Sequence, residues 1–195
     1  MKIGIDISQL AYPETGVANY LQNLVSSLIA IDKNNQYVLF FSSLRKELVI
    51  SNFKFLNKSQ YPNVTIRKFR IPPTLLDILW NKLHILPIES LIGDVDIFIT
   101  SDWTEPPTKK AKKVTILYDL MIYKYPQESH HQTKFNLLKL IISPNIVEVQ
   151  KRKLQWVKKE SQRILCISKS TADDASNILG IDKNKLSVVY PGFSL

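Results

Sequence analysis

Cysteine is nearly missing from this chain, with one in 195 residues. That excludes an intramolecular disulfide and any Cys₄ or Cys₂His₂ zinc site. Three histidines, two of them adjacent, leave little from which to build a metal centre. No window reaches the roughly 18 apolar residues that a membrane-spanning helix requires. The opening Met1-Lys2-Ile3-Gly4-Ile5-Asp6 does not read as a secretory signal, because Asp6 interrupts the apolar stretch such a signal needs. A single thiol and no export signal lead to the expectation of a cytosolic protein. Neither GxGxxG nor GxxxxGK[ST] occurs, which argues against a dinucleotide or Walker-type site. GxSxG is also missing, so there is no hydrolase elbow. No internal repeat and no low-complexity segment is visible.

What is present is a globular composition, 45% hydrophobic and 22% charged. A chain of this length buries roughly 70% of its unfolded surface and needs no staple to fold. Short apolar runs rich in β-branched residues occur at 3–7, 36–41, 64–69, 95–99, 114–118, 163–167 and 186–190. Each reads as a strand. Helical spacing runs over 19–31, 74–92, much of 129–160 (where Pro144 predicts a kink or a break) and 170–179. Ser168 is the expected N-cap of the last helix and Gly180 its terminator. Strands alternating with helices predict an α/β fold: a Rossmann-like, doubly wound, mostly parallel sheet with helices on both faces.

Lys+Arg number 26 against 17 Asp+Glu, a formal net charge of +9. The charge is clustered. Lys109, Lys110, Lys112 and Lys113 are placed in a loop before a strand. Lys151, Arg152, Lys153, Lys158 and Lys159 are placed on a helix with Leu154, Trp156 and Val157, and Arg67, Lys68 and Arg70 flank the third strand. Such clusters read as solvated surface, or as a surface facing a membrane or phosphates. The apolar stretch 74–92 has the same two readings: a core-packing helix pair, or a segment that seats Trp80 at an interface.

Ligands of open α/β sheets bind outside the carboxyl ends of the strands, so the residues just past each strand are the candidates. Ser8, Gln9 and then Glu14-Thr15-Gly16-Val17 follow the first strand. Backbone N–H groups near Gly16 at a helix start suit an anion, although a turn glycine reads the same way. Ser101, Asp102 and Trp103 follow the fourth strand, Tyr118 and Asp119 the fifth, and Ser168 the sixth. Asp102, Asp119 and Ser168 also read as ordinary caps. His84, His130 and His131 read as surface or packing residues, and Cys166 as a buried structural thiol.

Four segments in order resemble family 4 glycosyltransferases, mannosyltransferase-like members included. They are MKIGIDISQL…ETGVANYLQNLVSSL, LWNKLHILPIESLIGDVDIFITSDWTEPP, VTILYDLMIYKYPQ and SQRILCISKSTADDASNILGIDKNKLSVVYPG. The third corresponds to the family's VxTIHDL…YPE. The last corresponds to its A-D-x-I-x-x-V-S-x-x-[ST]…LG…K-I-x-V-V-x-x-G. The resemblance implies the acceptor-side half of a GT-B fold over 1–190. Residues 191–195 would then begin the linker to a donor-binding domain that this chain does not include. Such an enzyme transfers a sugar from a nucleotide-sugar to a glycan or lipid-linked acceptor, retains the anomeric configuration and needs no cofactor or essential metal. Helix N-termini and cationic side chains stabilise the donor diphosphate.

By that resemblance Asp119 and Tyr118 are the catalytic candidates, and Gly16, Val17, Ser101, Asp102, Trp103 and Ser168 the substrate-binding ones. Tyr118 stands where the family has His, and with an unperturbed pKa near ~10 it is a poor general base at neutral pH. A position at the inner face of an anionic membrane would fit a lipid-linked acceptor. Two other readings stay open: a non-catalytic acceptor-binding or regulatory half, and a basic nucleic-acid-binding α/β protein, whose only support is aromatics interleaved with Lys and Arg at 151–159.

Overall fold

The computed structural model describes residues 1–48, 61–101, 103–125 and 146–192. Seven strands form one parallel sheet: β1 (Lys2–Asp6), β2 (Gln36–Ser42), β3 (Val64–Phe69), β4 (Ile97–Thr100), β5 (Lys112–Leu117), β6 (Arg163–Cys166) and β7 (Leu186–Val188), in the order β3-β2-β1-β4-β5-β6-β7. Every pairing is parallel. The order reverses between β1 and β4, which makes that boundary the topological switch point of a Rossmann-like sheet.

Alternation along the strands builds a core on each face. In β2, Tyr37, Leu39 and Phe41 pack with Tyr20, Leu21, Val25 and Ile29 of α1 (Gly16–Ile31). Val38 and Phe40 point the other way, toward Trp80, Ile88, Ile92 and Phe98. Period-2 side chains buried on both faces are what a doubly covered parallel sheet requires. Gly4 sits where β1 meets β4: a Cβ there would lie 2.7 Å from Phe98 Cδ2 and 2.9 Å from Ile92 Cδ1. A third cluster joins Leu154 and Val157 of α5 (Ile146–Glu160) to Ile164, Cys166, Ala175 and Leu179.

The caps behave as their chemistry dictates. The Thr15 hydroxyl accepts the Ala18 N–H and starts α1, three residues before the predicted onset. Ser168 accepts the Thr171 N–H and starts α6 (Lys169–Leu179), which ends at Gly180 in the left-handed region, φ +63°.

Other expectations are corrected. Residues 74–92, read as helical along their length, hold helical turns only over Pro73–Leu76, Asp77–Lys82 and Glu89–Ile92, and they pack in the core as the helix-pair reading had it. A single turn, α2 (Pro73–Leu76), runs into a π turn over Asp77–Lys82, where the Leu83 N–H reaches back five residues to Ile78 O. After a break at His84 and Leu86, both at positive φ, a second short turn forms, α3 (Glu89–Ile92). The break falls before Pro87, which has no N–H to continue a helix. Trp80 is not at an interface. It is fully buried against Phe40, with its Nε1–H donated to Leu86 O at 2.9 Å. Lys112 and Lys113 lie in β5 rather than in the loop before it, and the fourth strand runs two residues later at its start than its apolar run suggested. Lys113 and Lys153 are buried, not solvated. Pro144, His130 and His131 lie outside the described residues.

Candidate functional site

A cleft of about 240 Å³ opens at the carboxyl edge of the sheet, beside the switch point. Asp6 comes from the last position of β1, and Ser8, Gln9 and Ala11 from the 3-10 turn Ser8–Ala11 that follows. Ser42 and Ser43 come from the end of β2, and Trp103 and Thr104 from the loop after β4, while Tyr12, Pro73 and Leu76 complete the wall. A more open concavity of about 650 Å³ lies at the opposite, amino edge, among Met1, Lys2, Asp96 and Lys112. Open α/β sheets do not bind their ligands at that edge, so the smaller cleft is the candidate site.

Beneath the cleft floor a polar row crosses three strands on one face. The register pairs Ile5 with Ile99 and Thr100 with Thr115, which sets Asp6 level with Thr100 and Thr115. Glu105, fully buried, lies over this row. Thr100 Oγ1 is 2.8 Å from Glu105 Oε2 and 2.8 Å from Thr115 Oγ1, and Thr115 Oγ1 is 2.7 Å from Ser161 Oγ. Lys113 Nζ reaches Glu160 Oε2 at 2.6 Å and Glu105 Oε1 at 3.5 Å. Lys153, from α5, donates its ammonium to Ser101 O. Of the two buried carboxylates, Glu105 is paired with the Lys113 ammonium, and Asp6 feels the charge of the buried Lys153. Burial without such pairing would drive the charges out.

Asp6 is the perturbed group. Burial raises its carboxyl above the ordinary value, and the Glu105 charge adds to this. Hydrogen bonds from Ser8 and the Lys153 charge pull in the other direction without cancelling the effect. Its Oδ1 accepts the Ser8 N–H at 2.9 Å, and the Ser8 hydroxyl in turn accepts the Ser42 N–H at 3.0 Å. Perturbed carboxylates in clefts are functional-site candidates.

The wall formed by Trp103 to Glu105 is held by Asn81, which the π turn directs inward. Asn81 Nδ2 donates to Trp103 O at 3.1 Å and to Asp77 Oδ1 at 2.9 Å. Arg152 pairs with the other Asp77 oxygen at 3.0 Å. On the outer side His84 stacks flat on Trp156, ring centroids 3.6 Å apart. Its Nδ1 faces Trp80 O at 2.8 Å and its Nε2 faces Glu160 Oε1 at 2.9 Å.

The residues chosen from sequence divide between this cleft and its neighbourhood. Trp103 lines the cleft. Ser101 is buried behind it, its Oγ 3.1 Å from the Tyr118 hydroxyl, and the Tyr118 ring meets Tyr20 edge-on. Tyr118 O accepts the Thr171 hydroxyl, which lies 2.9 Å from Ser168 Oγ, so Ser168 joins this second group. Asp119 is exposed, and its Oδ1 accepts the Met121 N–H, closing the turn into α4 (Met121–Lys124). Gly16 and Val17 open α1, with no atom within 4 Å of where a Gly16 Cβ would stand. Asp102 lies outside the described residues. Sequence reasoning missed Asp6, Glu105 and Asn81. The one signal for Asp6 was a lone carboxylate ending an otherwise apolar strand.

No protein-family model matches this chain, and no curated protein matches it significantly.

Proposed function

We propose that this chain is the acceptor-side half of a retaining glycosyltransferase, taking a glycan or lipid-linked acceptor while a nucleotide-sugar is held mainly by a separate donor-binding unit. The observation that carries the reading is the cleft at the switch point. It is lined by a carboxylate, a carboxamide, hydroxyls and aromatic rings, with no Lys or Arg among its lining residues in a chain of net charge +9. That lining suits an uncharged polyhydroxyl ligand and offers a diphosphate nothing cationic. The four-segment resemblance to family 4 glycosyltransferases points the same way. Titration calorimetry tests it: the chain is expected to bind UDP- and GDP-sugars weakly, and micromolar affinity for either would overturn the division of labour.

A second observation favours a place at the inner face of a membrane. No helix among the described residues is long and apolar enough to cross one. Leu75, Ile78, Leu83 and Ile85 nevertheless stand exposed along the segment that covers Trp80. Lys82 interrupts them. Lys159 sits 4.9 Å above the Trp156 ring, on whose indole His84 stacks. Each cation near an anionic leaflet adds about 1 kcal/mol. Co-sedimentation with anionic vesicles, lost at high salt and not seen with neutral vesicles, is the expected result. Equal partitioning onto both would leave the charge as ordinary surface.

A further inference from the structure

We infer that Leu83 and Ile85 form a wedge that enters the surface of an anionic bilayer. This rests on the membrane reading above and goes beyond it by naming the two side chains that insert and the contacts that hold them out.

The backbone carries the argument. His84 and Leu86 lie in the left-handed region, at φ +52° and +64°, and no other non-glycine residue does so among the described residues. Bulky side chains avoid that region, and such outliers persist where the surrounding structure enforces them. The enforcing contacts are specific. The Leu83 N–H is donated to Ile78 O at 2.9 Å and the Ile85 N–H to Leu79 O at 2.8 Å. Leu86 O accepts the Trp80 Nε1–H at 2.9 Å. The His84 ring lies flat on Trp156, between Trp80 O and Glu160 Oε1. Each of these polar contacts is made within the protein. Leu83 and Ile85, on either side of His84, are turned to the outside, 58% and 50% exposed. A plain reversal of the chain is built from Gly, Asn and other polar residues. This loop instead spends its polar groups inward and displays two aliphatic side chains.

The chemistry around the loop fits a bilayer. Backbone that enters an apolar medium must have its polar groups bonded beforehand, and the N–H groups of both displayed residues are. Exposed Lys82 precedes the loop, and Lys159 Nζ stands 4.9 Å from the centre of the Trp156 ring on which His84 stacks. An open concavity of about 530 Å³ beside that stack is lined by Gln155, Trp156, Lys158 and Lys159. Glu160, next in the chain, is bonded to Lys113 and His84. Aliphatic side chains beside an indole and ammonium groups match an anionic leaflet, where hydrocarbon gives way to phosphate. An acidic protein partner would meet the same lysines, but two aliphatic side chains offer it little apolar area for a stable interface.

The test uses the full 195-residue chain and flotation with phosphatidylcholine vesicles, with and without phosphatidylglycerol. Wild type is expected to float with the anionic vesicles alone. L83S/I85S is expected to partition at least about tenfold more weakly, with an unchanged melting temperature because both side chains are already half exposed. A polarity-sensitive dye on I85C is expected to shift to the blue on anionic vesicles and to be quenched by lipids spin-labelled in the acyl chain. The same dye on I31C, at the end of the helix that covers the opposite face of the sheet, is expected to do neither. Native Cys166 is buried, so the dye goes to the introduced thiol. Equal partitioning of L83S/I85S and wild type, or quenching at I31C and not at I85C, would overturn the wedge and leave the membrane reading standing. No flotation of wild type with either vesicle would overturn both. A dimer of wild type that L83S/I85S abolishes would overturn the wedge in favour of self-association.

Discussion

Asn81 Oδ1 accepts the backbone N–H of Glu105 at 3.0 Å, twenty-four residues away in the chain. The bond joins a π turn on one side of the sheet to the loop that walls the cleft, and Asn81 is only 3% exposed. Replacing Asn81 by Ala strands the Glu105 N–H, Trp103 O and Asp77 Oδ1 together. At about 1–3 kcal/mol for each buried group left without a partner, N81A is expected to lose at least about 3 kcal/mol in urea unfolding. Trp103 loses its tether as well, so sugar binding is expected to weaken. A variant of unchanged stability would show that the loop holds itself.

Lys113 is expected to be indispensable despite sitting in a run of lysines. Its ammonium is buried between Glu160 and Glu105. Lys113→Met keeps the volume but leaves the fully buried Glu105 without its cation. Breaking a buried pair from one side costs about 3–5 kcal/mol. The double variant Lys113→Met/Glu105→Gln is expected to recover part of that loss, because the uncompensated charge goes with it. Lys112→Met, at an exposed position of the same strand, is the control and is expected to be near neutral.

The contrast between those two lysines shows where the sequence was legible. Apolar runs fixed the strands well: Val64–Phe69 falls where its alternation placed it, and Ser168 and Gly180 bound α6 as their capping chemistry requires. Those signals are local. Lys113 and Lys153 looked like solvated charge because their partners, Glu160 and Ser101, lie 47 and 52 residues away and come close only through the sheet order. The 74–92 stretch read as helical throughout, a helix pair with no located break, because it is apolar on nearly every side. Periodicity cannot locate the break, and only the π turn and the positive φ at His84 and Leu86 do. The cleft needed three strand ends and a loop at once. Trp103 could be named from its place after β4, whereas the convergence of Asp6 and Gln9 with it is a property of the topology.

Glu89 is expected to shape the acid limb of stability. Its Oε1 accepts three successive N–H groups, from Lys109, Lys110 and Ala111, at 2.8, 3.0 and 3.1 Å. Burial alone would raise its carboxyl, but these donors outweigh it and hold the group below the ordinary 4.5. A carboxyl depressed in the folded state contributes stability above its unfolded value and loses it as the pH falls through the folded one. Glu89→Gln is therefore expected to be less stable than wild type at pH 7, by about 1–3 kcal/mol for weakened bonds to a charged acceptor. The gap is expected to narrow below pH 4.5. Urea midpoints across that range check it, and a gap that widens on acidification would contradict it.

Cys166 is expected to be silent toward thiol reagents. The side chain is fully buried in β6, and burial pushes its thiol up to about 11. The thiolate is the reactive form, so both access and ionisation oppose reaction. Ellman's reagent at pH 8 is expected to titrate no thiol in the native chain and one in guanidinium. Rapid native labelling would mean that β6 opens far more readily than its packing against Leu154, Ala175 and Leu179 implies.

Asp6 is expected to reduce stability for the sake of its site. Burial is the largest influence on its carboxyl and raises it above 3.8, outweighing the Ser8 hydrogen bonds and the Lys153 charge. The folded chain therefore holds this proton more tightly than the unfolded one. Stability from that preference is full below pH 3.8 and is lost as the pH rises through the folded value. At pH 7, where the unfolded chain has given up this proton, the raised carboxyl is a cost to folding. Asp6→Asn removes the titrating group and keeps an oxygen for the Ser8 N–H, so it is expected to be more stable than wild type at neutral pH. The advantage is expected to shrink toward zero as the pH approaches 3.8. Losing the attraction of Lys153 works against this gain, but the net direction of the shift says that burial prevails. A variant that gains stability while losing sugar binding is the signature of a residue kept for function. Urea unfolding of both proteins at pH 7 and near pH 4, alongside titration with simple glycosides, measures the two effects separately. If Asp6→Asn is the less stable protein at pH 7, the carboxylate belongs instead to the structural ion network with Lys153.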